Sequence, residues 1–398
     1  MLQVVDVAVF VGIDVGKSAH HVVALDAHGV VLADRPLPQD EADLRELLES
    51  LQLHGPVLLV VDQPASMGAL VVAVGRAVGV HVGYLPGLAM RRIADLHPGE
   101  AKTDARDALV IATAARSMPH ALRELPAADE AGAELSMLCG FDDDLNTQII
   151  ALSNRLRGLM TGIHPALERV LGPHLDRPGV LDLLEKYSTP AALAAAGRAR
   201  ISRVIAKRSP RVAASTAAAV IDALGKQTVV VPGTDAAGLV IARLAAQLSQ
   251  LQLQRTEIAD HIEQMVTDHP LSPVLTSMPG VGVRTAARLI TETHGKTFPT
   301  AGHLAAYAGL APVSRRSGTS IHGEHAARGG NRKLKRVLFL SAFAALRDPE
   351  SRAYYDRKRA QGKNHNQAIL ALARRRCDVL HAMIRTGTLY QTGHPHAA

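Results

Sequence analysis

Over its first 120 positions the chain is built from short apolar runs set off by glycine, aspartate and histidine. VAVFVGID (7–14), HHVVALD (20–26) and VVLADRPL (30–37) have the length and β-branched content of strands. EADLRELLESLQ (41–52) spaces leucine at helical intervals, VLLVVDQ (57–63) is a continuous apolar run of the doubly buried strand type, and GALVVAVGRAVG (68–79) reads as a helix. HVGYLP (81–86) predicts a fifth strand. TDARDALVIATAARS (103–117) predicts a helix with Thr103 as N-cap ahead of two early aspartates. The predicted order is βββαβαβα.

Further along the period lengthens. Residues 134–171 and 236–266 each carry apolar residues at helical spacing over many turns, which predicts two long helices. Pairing them antiparallel within one chain, or as a coiled coil between chains, buries both stripes. The alanine-rich stretch between them, 172–232, predicts short helices with no legible role. After Pro270 the texture changes again, and SMPGVGVRTAARLITE (277–292) has the pattern of a helix-hairpin-helix. There Gly280 and Gly282 are candidates for bringing backbone N–H groups to a DNA phosphate. Three parts are expected: an α/β domain at 1–125, a helical region at 126–268 and a helical C-terminal domain at 269–398.

The 398 residues, 47% hydrophobic, suffice for a sizeable core. No apolar run approaches 18 residues, and the apolar start contains Asp6 and no basic segment, so neither a membrane span nor a signal peptide is expected. Cys139 and Cys377, far apart and without a CxxC, exclude a disulfide framework and a zinc knuckle and fit a reducing, cytoplasmic setting. The formal charge of +7 is concentrated: from Arg315 to Arg376, 16 lysines and arginines face four acids. Such a block beside a slightly acidic remainder is the footprint of a polyanion, nucleic acid before any other.

The predicted order matches the ribonuclease H-like arrangement, three antiparallel strands followed by alternating helices and strands around one mixed sheet. It gives four acids a common place: Asp14 ends the first strand, Asp62 the fourth, and Asp104 and Asp107 lie three apart on one face of the last helix. Crowded carboxylates raise one another's pKa unless a cation neutralises them. A pair of Mg²⁺ ions, or Mn²⁺, would do so and would activate a phosphodiester for attack. GIDVGK (12–17) also resembles the first phosphate loop of actin-like kinases and chaperones, but the second such loop of those proteins is missing, as is GxxxxGK[ST].

FPTAGHLAAYAGLAPVSRRSGTSIHGEHAARGGNRKLKRVLFLSAFAALR (298–347), taken with KTDARDA (102–108) upstream, closely resembles the DEDD-type insertion-sequence transposases and Piv-type DNA invertases. That family includes bridge-RNA-guided recombinases. PGVG with TAARL, LAAYAGLAP, RSGTS, RGGNRKLKRVLFLSA and the distal YYDRKRAQGKNHNQAILALARR carry the resemblance, which spares only the helical middle. It implies that Asp14, Asp104 and Asp107 are three of four metal-binding acids. Asp62 stands where the family usually has glutamate. Ser317 is implied as the nucleophile that forms a phosphoserine link to DNA, with Arg315, Arg316, Arg328 and Arg332 as charge-stabilising cations and RGGN (328–331) as a flexible turn.

Lys333, Lys335 and Arg336 complete the expected nucleic-acid surface. The implied partners are the DNA of element ends and target, a noncoding bridge RNA, and further copies of this chain in a dimer or tetramer; no membrane is involved. Two other readings stand beside this one: a junction-resolving metal nuclease that forms no serine adduct, and a DNA-binding architectural protein with vestigial acids.

Overall fold

A computed structural model describes residues 6–64, 66–96, 103–125, 130–294, 296–317 and 321–391. The chain divides into two compact units, Met1–Ala128 and Asp129–Ala398.

The first unit is one mixed sheet of β1 (Val9–Asp14), β2 (Ala19–Asp26), β3 (Val31–Pro38), β4 (Val57–Val61), β5 (His81–Tyr84) and β6 (Arg123–Glu124), in the order β3-β2-β1-β4-β5-β6. β1–β2 and β2–β3 are antiparallel, β1–β4 and β4–β5 parallel, and the short β6 is antiparallel to β5. This layout fits the ribonuclease H-like arrangement, and its helices are α1 (Glu41–Gln52), α2 (Ala69–Ala77), α3 (Gly87–Ala94) and α4 (Asp104–Ser117). Neither α3 nor β6 is expected from the sequence pattern, because both are short and carry little periodicity. β1 sorts its residues by the two-residue period of a strand: Val9, Val11 and Ile13 pack with leucines of α1 and valines of α2, whereas Phe10 packs with Val110, Ile111, Ala114 and Ala115 of α4. All five residues of β4 are buried, since helices cover both faces of the sheet.

The second unit is built on α5 (Glu130–Ile163) and α10 (Thr234–Thr267), 34 residues each. Leu135 and Cys139 near the start of α5 share a core with Ile262 and Val266 near the end of α10. Leu156, Met160 and Ile163 at the far end of α5 share another with Ile241, Leu244 and Leu248. The two helices are therefore antiparallel within one chain. Between them run α6 (Pro165–Leu171), α7 (Pro178–Lys186), α8 (Pro190–Ala206) and α9 (Ala213–Leu224). The first three open on proline, which costs no hydrogen bond at that position. These helices give the alanine-rich stretch its role: they cover the apolar end of the long pair.

The remaining elements are α11 (Ser272–Thr276), α12 (Val283–Thr293), α13 (Ala301–Tyr307), the hairpin β7 (Val313–Ser317) and β8 (Ile321–His325), α14 (Arg332–Ala344), α15 (Pro349–Ala360) and α16 (His365–Thr386). Their apolar faces close on the start of α5 and the end of α10. Among the described residues no helix is long and apolar enough to cross a membrane.

His164, buried at the N-cap of α6, accepts the Leu167 N–H through Nδ1 at 3.3 Å, and burial lowers its pKa. The unfolded chain takes up a proton near pH 6.5 while the folded one still resists it, so this residue withdraws stability as pH falls below about 6.5. His164→Asn keeps a capping acceptor without a titrating group and should flatten the decline of stability between pH 6.5 and 5, read from urea unfolding at each pH. An unchanged slope would assign that decline to other groups.

Candidate functional site

At the carboxyl edge of the first unit, the parallel β1–β4 pair is in register through Ile13 and Val61, so Asp14 and Asp62 are the next residues on adjacent strands. The Val15 N–H donates to Asp62 Oδ1 at 3.3 Å, which holds that carboxylate beside the start of the β1–β2 turn. The turn is tight: a Cβ on Gly16 would lie 2.1 Å from the Ala19 carbonyl oxygen. His20, buried and with its pKa lowered by burial, accepts the Gly16 N–H through Nδ1 at 3.3 Å. This positioning histidine escapes sequence reasoning. Its one visible signal is a histidine on the inward phase of an otherwise apolar strand.

Asp104 and Asp107 occupy the first turn of α4, where Thr103 as N-cap accepts the Arg106 N–H at 3.2 Å. Asp104 is exposed and Asp107 half-buried. Because Phe10 meets α4 around Val110–Ala115 while Gly12 meets it at Ala108 and Ala112, the helix runs antiparallel to β1. Its acidic turn thus lies toward the Asp14 end of the strand. Gly12 permits this seating: a Cβ there would stand 2.3 Å from the Ala112 nitrogen and 2.4 Å from the Ala108 oxygen. The donors are all oxygens, as a hard divalent cation requires. The structure brings the four acids to one edge and stops short of a coordination set: among the described residues no three His, Cys, Asp or Glu groups are placed to hold a metal.

In the second unit, Arg315, Arg316 and Ser317 are consecutive residues of β7, and Ser317 is its last paired residue, opposite Ile321. Gly318 and Ser320 lie outside the described residues; Ser314 pairs with Glu324 further down the hairpin. The base of the hairpin is clamped. Gly309 and Gly330 both have positive φ and meet backbone to backbone, with a Cβ on Gly330 falling 2.6 Å from the Gly309 nitrogen. Asn331 donates its N–H to the Tyr307 carbonyl at 2.7 Å and its Nδ2 to Glu292 Oε2 at 2.6 Å and Tyr307 OH at 2.9 Å. Its Oδ1 also caps α14 by accepting the Leu334 N–H. RGGN is expected from sequence to be a flexible turn; it is instead a pinned junction between α13, the hairpin and α14.

The cations are spread along this junction. Arg328, Arg332 and Arg336 are exposed, Lys335 is half-buried, and Lys333 reaches Asp143 of α5 at 3.2 Å. Arg332, Lys333 and Lys335 crowd the start of α14, whose own first turn carries no acid, so they oppose the positive end of the helix dipole. Gly280 (φ +76°) is spent on close packing: a Cβ would meet the Ser341 oxygen of α14 at 2.5 Å. Gly282, exposed at the N-cap of α12, faces open space, and the helix before the turn, α11, has only five residues.

Two further features are silent in the sequence. Buried Arg376 of α16 binds Ser341 Oγ at 2.8 Å and the Pro279 carbonyl, and desolvation lowers its pKa to about 10. Arg288 of α12 bridges Asp142 and Asp143 of α5, and Arg255 of α10 also holds Asp142 at 2.9 Å. Both cysteines are buried, with the Cys377 thiol pushed up to about 12 by burial, which excludes them as nucleophiles.

Residues 11–165 match a transposase family of DEDD type, and residues 272–356 match the transposase IS116/IS110/IS902 family. The chain is 56% identical to the insertion element IS110 43.6 kDa protein of Streptomyces coelicolor, over 99% of this chain and 98% of the relative. It is 37% identical to the insertion element IS900 42 kDa protein of Mycobacterium paratuberculosis, over 98% and 99%. A pilin gene-inverting protein of Moraxella bovis shares 32% identity over 33% of this chain and 43% of its own length.

The seating of α4 on Gly12 is directly testable. Gly12→Ala should destabilise the protein by about 1–3 kcal/mol through overpacking, seen as a lower thermal midpoint. Gly158→Ala, on an exposed face of α5 where a Cβ meets nothing within 4 Å, should leave the midpoint level or raise it. Equal midpoints for Gly12→Ala and wild type would show that α4 is not seated on that glycine.

Proposed function

The chain belongs to the IS116/IS110/IS902 transposase family and is a DNA-recombining enzyme, and from that premise we propose that it breaks and rejoins DNA with a carboxylate-held divalent cation and the Ser317 hydroxyl. One observation carries the reading: two acidic strand ends and the acidic first turn of α4 lie toward one edge of a ribonuclease H-like sheet.

Asp14, Asp62, Asp104 and Asp107 would hold the ion, Mg²⁺ or Mn²⁺. When bound, such an ion supplies a Lewis acid that polarises the scissile phosphate and eases loss of a proton from the attacking group. The protein's own part is to orient the carboxylates. The Val15 N–H does this for Asp62, and the packing of α4 does it for Asp104 and Asp107. Asp62 is one methylene shorter than the glutamate usual in the family.

In the proposed exchange the Ser317 oxygen forms a bond to phosphorus as its proton departs, and the P–O bond to one deoxyribose breaks, that oxygen leaving as a hydroxyl. The phosphodiester energy is kept in the serine ester, so a second DNA hydroxyl can reverse the step and rejoin strands without another energy source. Arg315, Arg316, Arg328 and Arg332 are assigned to the charge that grows on the phosphate oxygens. The clamp at Gly309, Gly330 and Asn331 supports this assignment, since a nucleophile has to be held in line. The crowded cations at the start of α14 are relieved by a bound polyanion, which supports DNA phosphate as their partner. Gly282 is kept as a phosphate-binding position, and Gly280 as the residue that shapes its loop. A homo-oligomer working with a noncoding bridge RNA is a further part of the proposal, on the family resemblance alone.

Asn in place of Asp14, Asp104 or Asp107 should abolish strand breakage on a supercoiled substrate with the fold intact by circular dichroism; Asp62→Glu should keep part of the activity. Ser317→Ala should still bind DNA but yield no denaturation-resistant protein–DNA adduct, with rates down by orders of magnitude. Full recombination by two of the Asp→Asn variants overturns the metal assignment. Strand breakage without any adduct in wild type replaces the serine step by hydrolysis.

Neutralising Lys335 and Arg336 to Gln should weaken binding on all DNA sequences alike and make the log–log salt slope shallower by about one unit for each phosphate left without its cation. Lys333→Gln should change it less, because Asp143 already shares that charge. A slope unaffected by Arg336→Gln would remove α14 from the DNA surface.

A further inference from the structure

The exposed face of α14 does not end with its cations. Arg332, Arg336, Leu340 and Phe343 follow one another at spacings of four, four and three residues, so they form a single stripe along the helix. Leu340 is 51% and Phe343 52% exposed, in a chain with five phenylalanines and no tryptophan. Phe343 also belongs to a built aromatic group. The exposed His365 ring stands edge-on to Phe343, centroids 6.2 Å apart at 88°, and edge-on to Tyr355, 5.7 Å apart at 74°. Its Nδ1 is 2.7 Å from the Tyr355 hydroxyl, which fixes the imidazole against α15. Arg352 lies over the Tyr355 ring at 5.9 Å.

The neighbouring Tyr354 makes the contrast. Arg357, Lys358 and Arg375 all lie over its ring, at 5.1–5.4 Å, so its π-face is already used within the protein. Among the described residues no cation lies over Phe343. Two half-exposed apolar side chains are far less than the roughly 800 Å² per partner of a standard protein interface. Arg332 and Arg336 complement a phosphate backbone, whereas Arg352 is already paired with Asp356 at 2.9 Å. A half-exposed phenyl ring held at the end of a row of cations suits a strand whose bases are unpaired, with phosphates on the arginines and a base on the ring.

We infer that Phe343, backed by His365 and Tyr355, is a stacking site for an unpaired nucleobase, DNA or RNA, whose strand runs along the cationic stripe of α14. This rests on the proposed reading of that stripe as a nucleic-acid surface, and it adds a discrimination that phosphate binding cannot supply: unpaired over duplex. The ring offers its face only to a base that has left its own stack.

The test uses the full chain and fluorescence anisotropy with three probes of one mixed sequence: single-stranded DNA, single-stranded RNA and the DNA duplex. Phe343→Ala should weaken binding of a single strand roughly five- to 150-fold, the range for one base–aromatic stack. Duplex affinity and both salt slopes should stay unchanged. Phe343→Tyr should restore the affinity and Phe343→Leu should not, which separates stacking from simple apolar burial. The single-stranded probe that responds more strongly identifies the source of the base. Equal losses on strand and duplex, or wild-type behaviour of Phe343→Leu, overturns the stacking site while leaving α14 a phosphate-binding helix. A wild-type chain that binds none of the three probes overturns both.

Discussion

In the first unit the placement of the acidic turn of α4 depends on one backbone-to-backbone approach, the seating of that helix on Gly12. A helix normally rides on a sheet at side-chain distance, but here the Ala108 carbonyl and the Ala112 nitrogen occupy the space a Cβ would fill. Alanines at 108 and 112 and a glycine on the strand are the three small residues that make the approach possible, with Val23 and Leu25 of β2 closing the contact. The result is a short lever: one helical turn beyond Ala108 come Asp107 and Asp104, and two residues beyond Gly12 comes Asp14. Larger residues at this crossing would lift the acidic turn away from the strand ends. Small-residue packing on one face and an apolar leucine–valine layer on the other then share the sheet between structure and site.

The second unit meets a different constraint, that two 34-residue helices cannot bury their stripes against each other alone. Each end of the pair is completed by its own set of shorter helices, which produces two cores on one shaft. Beside the core at the start of α5 lies a network of Asp142, Asp143, Arg255, Arg288 and Lys333 that ties α5 and α10 to α12 and α14. Its value is largely in register. An isolated surface pair contributes about 0–1 kcal/mol, but Arg288 is mostly buried and serves two carboxylates, so its removal would leave Asp142 to Arg255 and Asp143 to Lys333. The same network joins α5 to the helix that carries the cationic stripe.

The hairpin follows the logic of a rigid mount. The proposed serine step would need such a mount, because a hydroxyl is a weak nucleophile whose approach has to be held in line. Two positive-φ glycines packed together, with Asn331 bonded to α12, α13 and the start of α14, confine the base of β7–β8. Of the cations at the start of α14, Lys333 is met by Asp143, while the helix's own first turn carries no acid.

Alternation and helical period were legible in the residues themselves. Periods of two and 3.6 come from local backbone geometry, so β1–β5, α1, α2, α4 and the two long helices could be drawn from the sequence, along with the end-of-strand positions of Asp14 and Asp62. α3 and β6 escaped because about two helical turns or a two-residue bridge leave too short a period to read. The sequence left the pairing of α5 with α10 open between one chain and two, and only burial against the helices of 165–224 decided it. Gly280 and the RGGN glycines marked special backbone positions, but whether a glycine faces a phosphate or another segment is a matter of what lies across from it. For Gly280 that is α14, and for Gly330 it is Gly309. Arg376 and the Asp142–Arg288 network were invisible for the same reason: their partners are up to 146 residues distant, and proximity at such separations is created by tertiary packing, not by any local pattern.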